Sequence, residues 1–245
     1  MWFVGNIMHR LCFLIYILML VGCSSSSSLS DLRAREELMS TAKNYAGLID
    51  LYTDILKSED TKENREILAN YFFLLEDYES SAFHLSNVIE RGNANPEVYY
   101  KQSFNYYMLG NSTIAVKFIE IAISMKPENA KYYNQKGIFL SKLAKYDESI
   151  IAFNRSRELL YDNRKVKNNL ALVYLKKGNY TKALSILMPL YLTYPNDKKT
   201  IANMIVVMAK LHDKDFVYNL LRNKYSVDNG EAVFIYNNLS NPKFF

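Results

Sequence analysis

The residues able to do covalent or acid–base chemistry are few and poorly placed for it. Beyond residue 23 the chain has no cysteine and only two histidines, His84 and His212. The pattern around them puts His84 on the second helix of a helical pair and His212 in a turn between helices, so no third group is set to orient either as a general base. The eight glycines form no GxGxxG, no Walker loop and no GxSxG elbow, so a phosphate cradle and a strained nucleophile are both missing. The carboxylate pairs Glu76-Asp77 and Asp147-Glu148 fall where helices start, and the positive end of a helix dipole accounts for them. These features predict a protein that is not an enzyme, with no metal and no dissociable cofactor. Lys and Arg number 30 against 25 Asp and Glu, a net charge of +5. The charges are interspersed, without the basic stripe that a nucleic-acid surface needs.

The remaining reactive group is a thiol. Cys12 and Cys23 both precede the folded part of the chain, so a disulfide framework is excluded and stability must come from packing. Residues 1–22 read as a targeting segment: a leader ending at Arg10, an apolar run over 11–21 and no acidic residue. That run is shorter than the roughly 20 residues a membrane-spanning helix needs. It closes in Leu20-Val21-Gly22-Cys23, which resembles a bacterial lipobox, the site where a lipoprotein signal peptidase cuts before an acylated cysteine. The resemblance implies a mature chain that begins at Cys23 and carries a covalent lipid there. Each buried methylene of that lipid contributes about 0.8 kcal/mol to membrane attachment. Residues 23–30, rich in serine, read as a flexible tether. Ser24 stands where an inner-membrane lipoprotein would carry Asp, which resembles the pattern of lipoproteins sorted to the outer membrane.

Everything after the tether is organised by one period. Four blocks, 62–95, 96–129, 130–163 and 164–197, overlay without insertion or deletion. Ala69, Ser103, Gly137 and Ala171 share one register, and Ser81, Ala115, Ser149 and Ala183 share another. Between them stand Phe72, Tyr106, Leu140 and Tyr174, and then Leu85, Ile119, Phe153 and Leu187. Antiparallel helices approach closely only where a small residue faces the neighbour, and large residues fill the grooves beside each contact. The period and the small–large alternation resemble the tetratricopeptide repeat (TPR). That resemblance implies an all-α fold, a right-handed superhelical solenoid of helix-turn-helix units. Residues 31–61 keep the phase weakly, with Leu32, Met39, Tyr45, Leu48, Tyr52 and Ile55, and read as a degenerate capping repeat. Residues 198–245 read as a partial repeat, its phase fading after Leu211, followed by closing helices around 216–221 and 232–239.

The TPR resemblance also implies a binding surface, since set positions on the first helix of each repeat point into the concave face. Mapped here they run from Glu63, Glu66, Asn70 and Phe73 to Lys165, Asn168, Leu172 and Leu175, so the strip passes from acidic and aromatic to basic and aliphatic. Tyr100, Phe104, Tyr107, Asn134, Ile138, Asn168 and Leu172 are the expected partner-binding residues. The alternative for the three aromatic residues is that they pack between repeats. The carboxylate clamp that grips chaperone tails is absent, because Glu66 with Asn70 and Tyr100 with Phe104 occupy its positions.

The string from Lys167 to Tyr174, Lys-Asn-Asn-Leu-Ala-Leu-Val-Tyr, continues through Gly178-Asn179-Tyr180, Ala183 and Leu187-Met188-Pro189-Leu190. With the lipobox, it resembles the TadD family of tight-adherence (Tad) lipoproteins, which serve Flp pilus assembly. The resemblance implies a scaffold on the periplasmic face of the outer membrane that engages a secretin or another assembly component. A pilotin-like protein of type IV pili and an adaptor for a cell-wall hydrolase are the alternatives.

Overall fold

The structure is a computed structural model that describes residues 29–241. The expected targeting segment, Cys23 and residues 24–28 lie outside the described residues. Within them are thirteen helices and no strand. In chain order these are α1 (Leu29–Thr41), α2 (Tyr45–Ser58), α3 (Lys62–Leu74), α4 (Tyr78–Glu90), α5 (Pro96–Met108), α6 (Ser112–Met125) and α7 (Ala130–Lys142). They continue as α8 (Tyr146–Glu158), α9 (Asn163–Lys176), α10 (Tyr180–Thr193), α11 (Lys198–Lys210), α12 (Lys214–Tyr225) and α13 (Asn229–Ser240).

Local chemistry sets where most of the helices begin. Thr61, Asn95, Asn129 and Asp197 recur at one phase, and each accepts a hydrogen bond from a backbone N–H of the following first turn. Such caps satisfy donors that the helix itself leaves orphaned. The turn inside each pair has its own column: Glu76, Gly110, Ala144, Gly178 and His212 all have positive φ, between 58° and 82°. Glycine enters that region freely, whereas Glu76, Ala144 and His212 enter it at a cost. At the fourth block the cap shifts by one. Asp162 accepts from the N–H groups of Arg164 and Lys165, and α9 starts at Asn163. This junction lacks the proline of the Lys126-Pro127 and Tyr194-Pro195 junctions, and Leu160 instead takes φ 61°.

The two small-residue columns lie at the helix–helix contacts. Ala69, Ser103, Ala171, Ser81, Ala115, Ser149 and Ala183 are all buried. Gly137 lies beside the Phe153 ring, and its carbonyl accepts a hydrogen bond from Ser149 Oγ at 2.6 Å. The large-residue column Leu85, Ile119, Phe153 and Leu187 fills the space behind these contacts at 0–1 % exposure, so the core is a continuous seam passed from pair to pair.

Both ends differ from the sequence-based expectation. Leu29 and Ser30, assigned there to the tether, form the first turn of α1, where Asp31 favours the helix start. At the other end the repeat is whole, not partial. α11 and α12 begin in step with the preceding pairs, Leu221 continues the Leu187 column, and both Leu221 and Val217 are buried. The phase looks faded because Ile205 and Val217 stand where the earlier pairs carry small residues. The helix α13 then closes the stack with Ala232 buried, and Ile235, Tyr236 and Leu239 pack on the same cluster.

Candidate functional site

The first helices α3, α5, α7, α9 and α11 share one face of the stack. Its α3–α7 end carries aromatic rings in continuous contact. Phe73 meets Tyr78 at 5.7 Å and Phe104 at 5.2 Å, Phe104 meets Tyr107 at 6.4 Å, and Tyr107 meets Phe139 at 4.9 Å. Phe104 and Tyr107 are partly buried, so each packs between helices and still shows an edge. Tyr100 is partly buried as well. Its ring stacks on Tyr132 at 5.3 Å, and Lys131 Nζ lies 3.9 Å from the ring centroid. Burial raises the Tyr100 hydroxyl pKa well above its ordinary value, and the nearby Glu97 carboxylate adds to the shift. Lys131 is also paired with Glu97 at 3.4 Å, and Tyr132 donates to the same carboxylate at 3.3 Å. Tyr100 therefore belongs to the joint between two pairs more than to an open surface.

The other polar residues of the strip separate. Asn134 is 8 % exposed and accepts a hydrogen bond from Asn169 Nδ2, whose Oδ1 in turn accepts from Lys199 Nζ. That relay links α7, α9 and α11. Asn168 is 1 % exposed; it donates to Arg164 O and Thr200 Oγ1 and accepts from Asn203 Nδ2. This corrects the sequence-based assignment of Asn168. A buried amide must be satisfied inside the protein, and this one is spent tying α9 to α11, out of a partner's reach.

Ile138 and Leu172 are partly buried and come together. With Tyr107, Ser141, Phe153, Asn169 and Val173 they line a cavity of about 220 Å³ that spans α5 to α11, rimmed by Lys142, Lys176 and Lys199. The lysine rim was missed, although its signal is in the sequence: Leu74, Met108, Lys142 and Lys176 share one phase. The groove edge thus turns from exposed apolar side chains on α3 and α5 to cations on α7 and α9.

Neither histidine is part of this face. His84 stacks on Phe72 at 5.5 Å, and Arg65 Nη1 lies 3.4 Å from its Nδ1. A guanidinium only donates, so Nδ1 is the acceptor and the proton sits on Nε2. Burial lowers the His84 pKa, and the Arg65 charge lowers it further. Asp60, paired with Arg65 at 2.6 Å and Arg91 at 2.7 Å, is held well below the usual carboxylate range by those hydrogen bonds. His212 serves its turn through its backbone, at φ 63°. Among the described residues, no three His, Cys, Asp or Glu side chains are grouped to hold a metal ion, and no helix is long and apolar enough to cross a membrane.

No protein-family model matches this sequence, and no curated protein matches it either. Solved structures do. YrrB, described as a TPR protein with an unusual peptide-binding site, superposes with a TM-score of 0.60 at 17 % identity, over 78 % of this chain and 94 % of its own. MamA from Desulfovibrio magneticus RS-1 gives 0.62 at 13 % identity, over 68 % and 96 %. TTC0263, a thermophilic TPR protein of Thermus thermophilus, gives 0.55 at 19 % identity, over 72 % and 96 %. At these identities the likeness is one of fold, and it agrees with the helix order, the repeat phase and the buried small-residue columns: the chain is an all-α tetratricopeptide-repeat solenoid.

Proposed function

We propose that this protein is a non-enzymatic, lipid-anchored scaffold of the bacterial outer membrane that holds a component of the Flp (tight-adherence) pilus assembly machinery, its secretin first among them, on the face built by the first helices. The observation that carries the binding half is the cavity across α5, α7, α9 and α11, with the edges of Phe104 and Tyr107 beside it. A preformed groove with aromatic anchors binds a partner segment at little ordering cost. That YrrB is described as having a peptide-binding site supports the same use of the fold. The anchoring half rests on Leu20-Val21-Gly22-Cys23 and on Ser24, and the choice of machinery rests on the TadD-like string around Asn168 and Pro189.

The test is co-purification of the secretin from detergent extracts, with the amount of surface pili as a second readout. Tyr107→Ala with Leu172→Asp should abolish both while the far-ultraviolet circular dichroism and the membrane fraction stay normal. A folded, membrane-bound double variant that still captures the secretin and assembles pili would rule the groove out.

A further inference from the structure

The lysine rim narrows what the groove can hold, on the reading that the first-helix face binds a protein segment. None of the residues lining the cavity is acidic, and three of them are lysines. Lys199 is partly occupied: its Nζ donates to Asn169, and its charge acts on the carboxyl of Asp197. Lys142 and Lys176 form no ion pair with a carboxylate among the described residues. Some neighbouring cations do have carboxylate partners, as in Lys136 with Glu120 at 2.7 Å, Lys165 with Asp162 at 3.4 Å, and Lys177 with Asp147. Two uncompensated positive charges therefore stand one repeat apart on the edge of an apolar floor. At about 220 Å³ the cavity is below the roughly 300–1,000 Å³ typical of small-molecule sites, a size that suits a single anchoring side chain.

We infer that the groove between α7 and α11 takes a partner segment with an aliphatic side chain flanked on both sides by aspartate or glutamate. The aliphatic group seats on Ile138, Leu172 and Val173, and the flanking carboxylates meet Lys142 and Lys176. Charge complementarity gives register and speeds encounter, while the apolar anchor holds the segment in place. At the aromatic end the Glu97–Lys131 pair is already neutralised internally, so the charge preference is confined to the α7–α11 end.

Fluorescence anisotropy on the full-length protein in detergent tests this with three labelled nonapeptides: one leucine flanked by glutamates, glycine flanked by glutamates, and leucine flanked by lysines. The first should bind at least tenfold tighter than the other two and weaken as salt is raised. Lys142→Glu with Lys176→Glu should cost roughly tenfold or more, since two attractive charge pairs are lost and the reversal adds repulsion. Equal binding of the acidic and basic leucine peptides, or indifference to the charge reversal, would overturn the inference. So would capture of phosphatidylglycerol vesicles through these lysines without any preference for the acidic peptide. Secretin co-purification separates the two levels of argument. If it is lost with Leu172→Asp but kept with the charge reversal, the groove reading stands and the acidic segment is wrong.

Discussion

A Cβ atom built on Gly137 would lie 2.7 Å from Cε1 of Phe153, inside van der Waals contact with the ring of the neighbouring helix. The two residues stand in different columns of the repeat, and together they set how closely α7 and α8 approach. Gly137→Leu should therefore destabilise by about 1–3 kcal/mol through overpacking. Gly137→Ala should fall at the low end, because alanine gains about 1 kcal/mol of helix propensity. Urea unfolding followed by circular dichroism measures both. Variants as stable as the parent would mean that Phe153 can move aside and that the contact does not limit the pair.

The positive-φ column makes the opposite kind of change useful. Ala144 and His212 occupy the left-handed region at φ 58° and 63°, where Gly110 and Gly178 serve the equivalent turns. Ala144→Gly and His212→Gly should each stabilise by roughly 0.5–1 kcal/mol, the left-handed strain removed less the added chain entropy. Gly110→Ala should lose a similar amount. A lower melting temperature for Ala144→Gly would show that its methyl group contributes packing that outweighs the backbone strain.

Asn168 separates stability from binding. Asn168→Leu leaves Thr200 Oγ1 without the Asn168 donor and Asn203 Nδ2 with only the backbone carbonyl of residue 168, at 3.5 Å, to accept from it. The expected cost is about 1–3 kcal/mol, with capture of the partner unchanged at temperatures where the variant is folded. Loss of capture by a fully folded variant would return this residue to the binding surface.

His84 gives the stack a pH dependence. Its folded-state pKa is depressed, so between that value and the ordinary histidine pKa of about 6.5 the unfolded chain binds more protons. Stability then rises with pH. The contribution of a neutral His84 is present above about pH 6.5 and is lost as pH falls through the folded value. The denaturation midpoint should decline from pH 7 to pH 5, and His84→Phe should flatten that decline. An identical slope in the variant would assign the dependence to other groups.

The proposed lipid anchor at Cys23 has a direct test. Cys23→Ser should leave an uncleaved or soluble chain that no longer incorporates a fatty-acid analogue, because the acceptor thiol is gone. Unchanged labelling would place the acyl group elsewhere.

The period, the two small-residue columns and the large-residue seam were legible in the chain alone, because close approach between helices favours small side chains at Ala69, Ser103, Gly137 and Ala171. Periodicity of residue size is a local property, and it repeats wherever the same contact repeats. Three other features became visible only in the folded chain. The tertiary structure completed the last pair, where Ile205 and Val217 replace the small residues that carried the pattern. It divided two neighbouring asparagines, burying Asn168 between α9 and α11 while Asn169 lines the cavity. And it joined Lys142 and Lys176, one full repeat apart in the chain, around a single apolar pocket. A shared phase says that residues face the same way, but which of them meet, and which charges remain uncompensated, depends on the neighbouring helices that surround them.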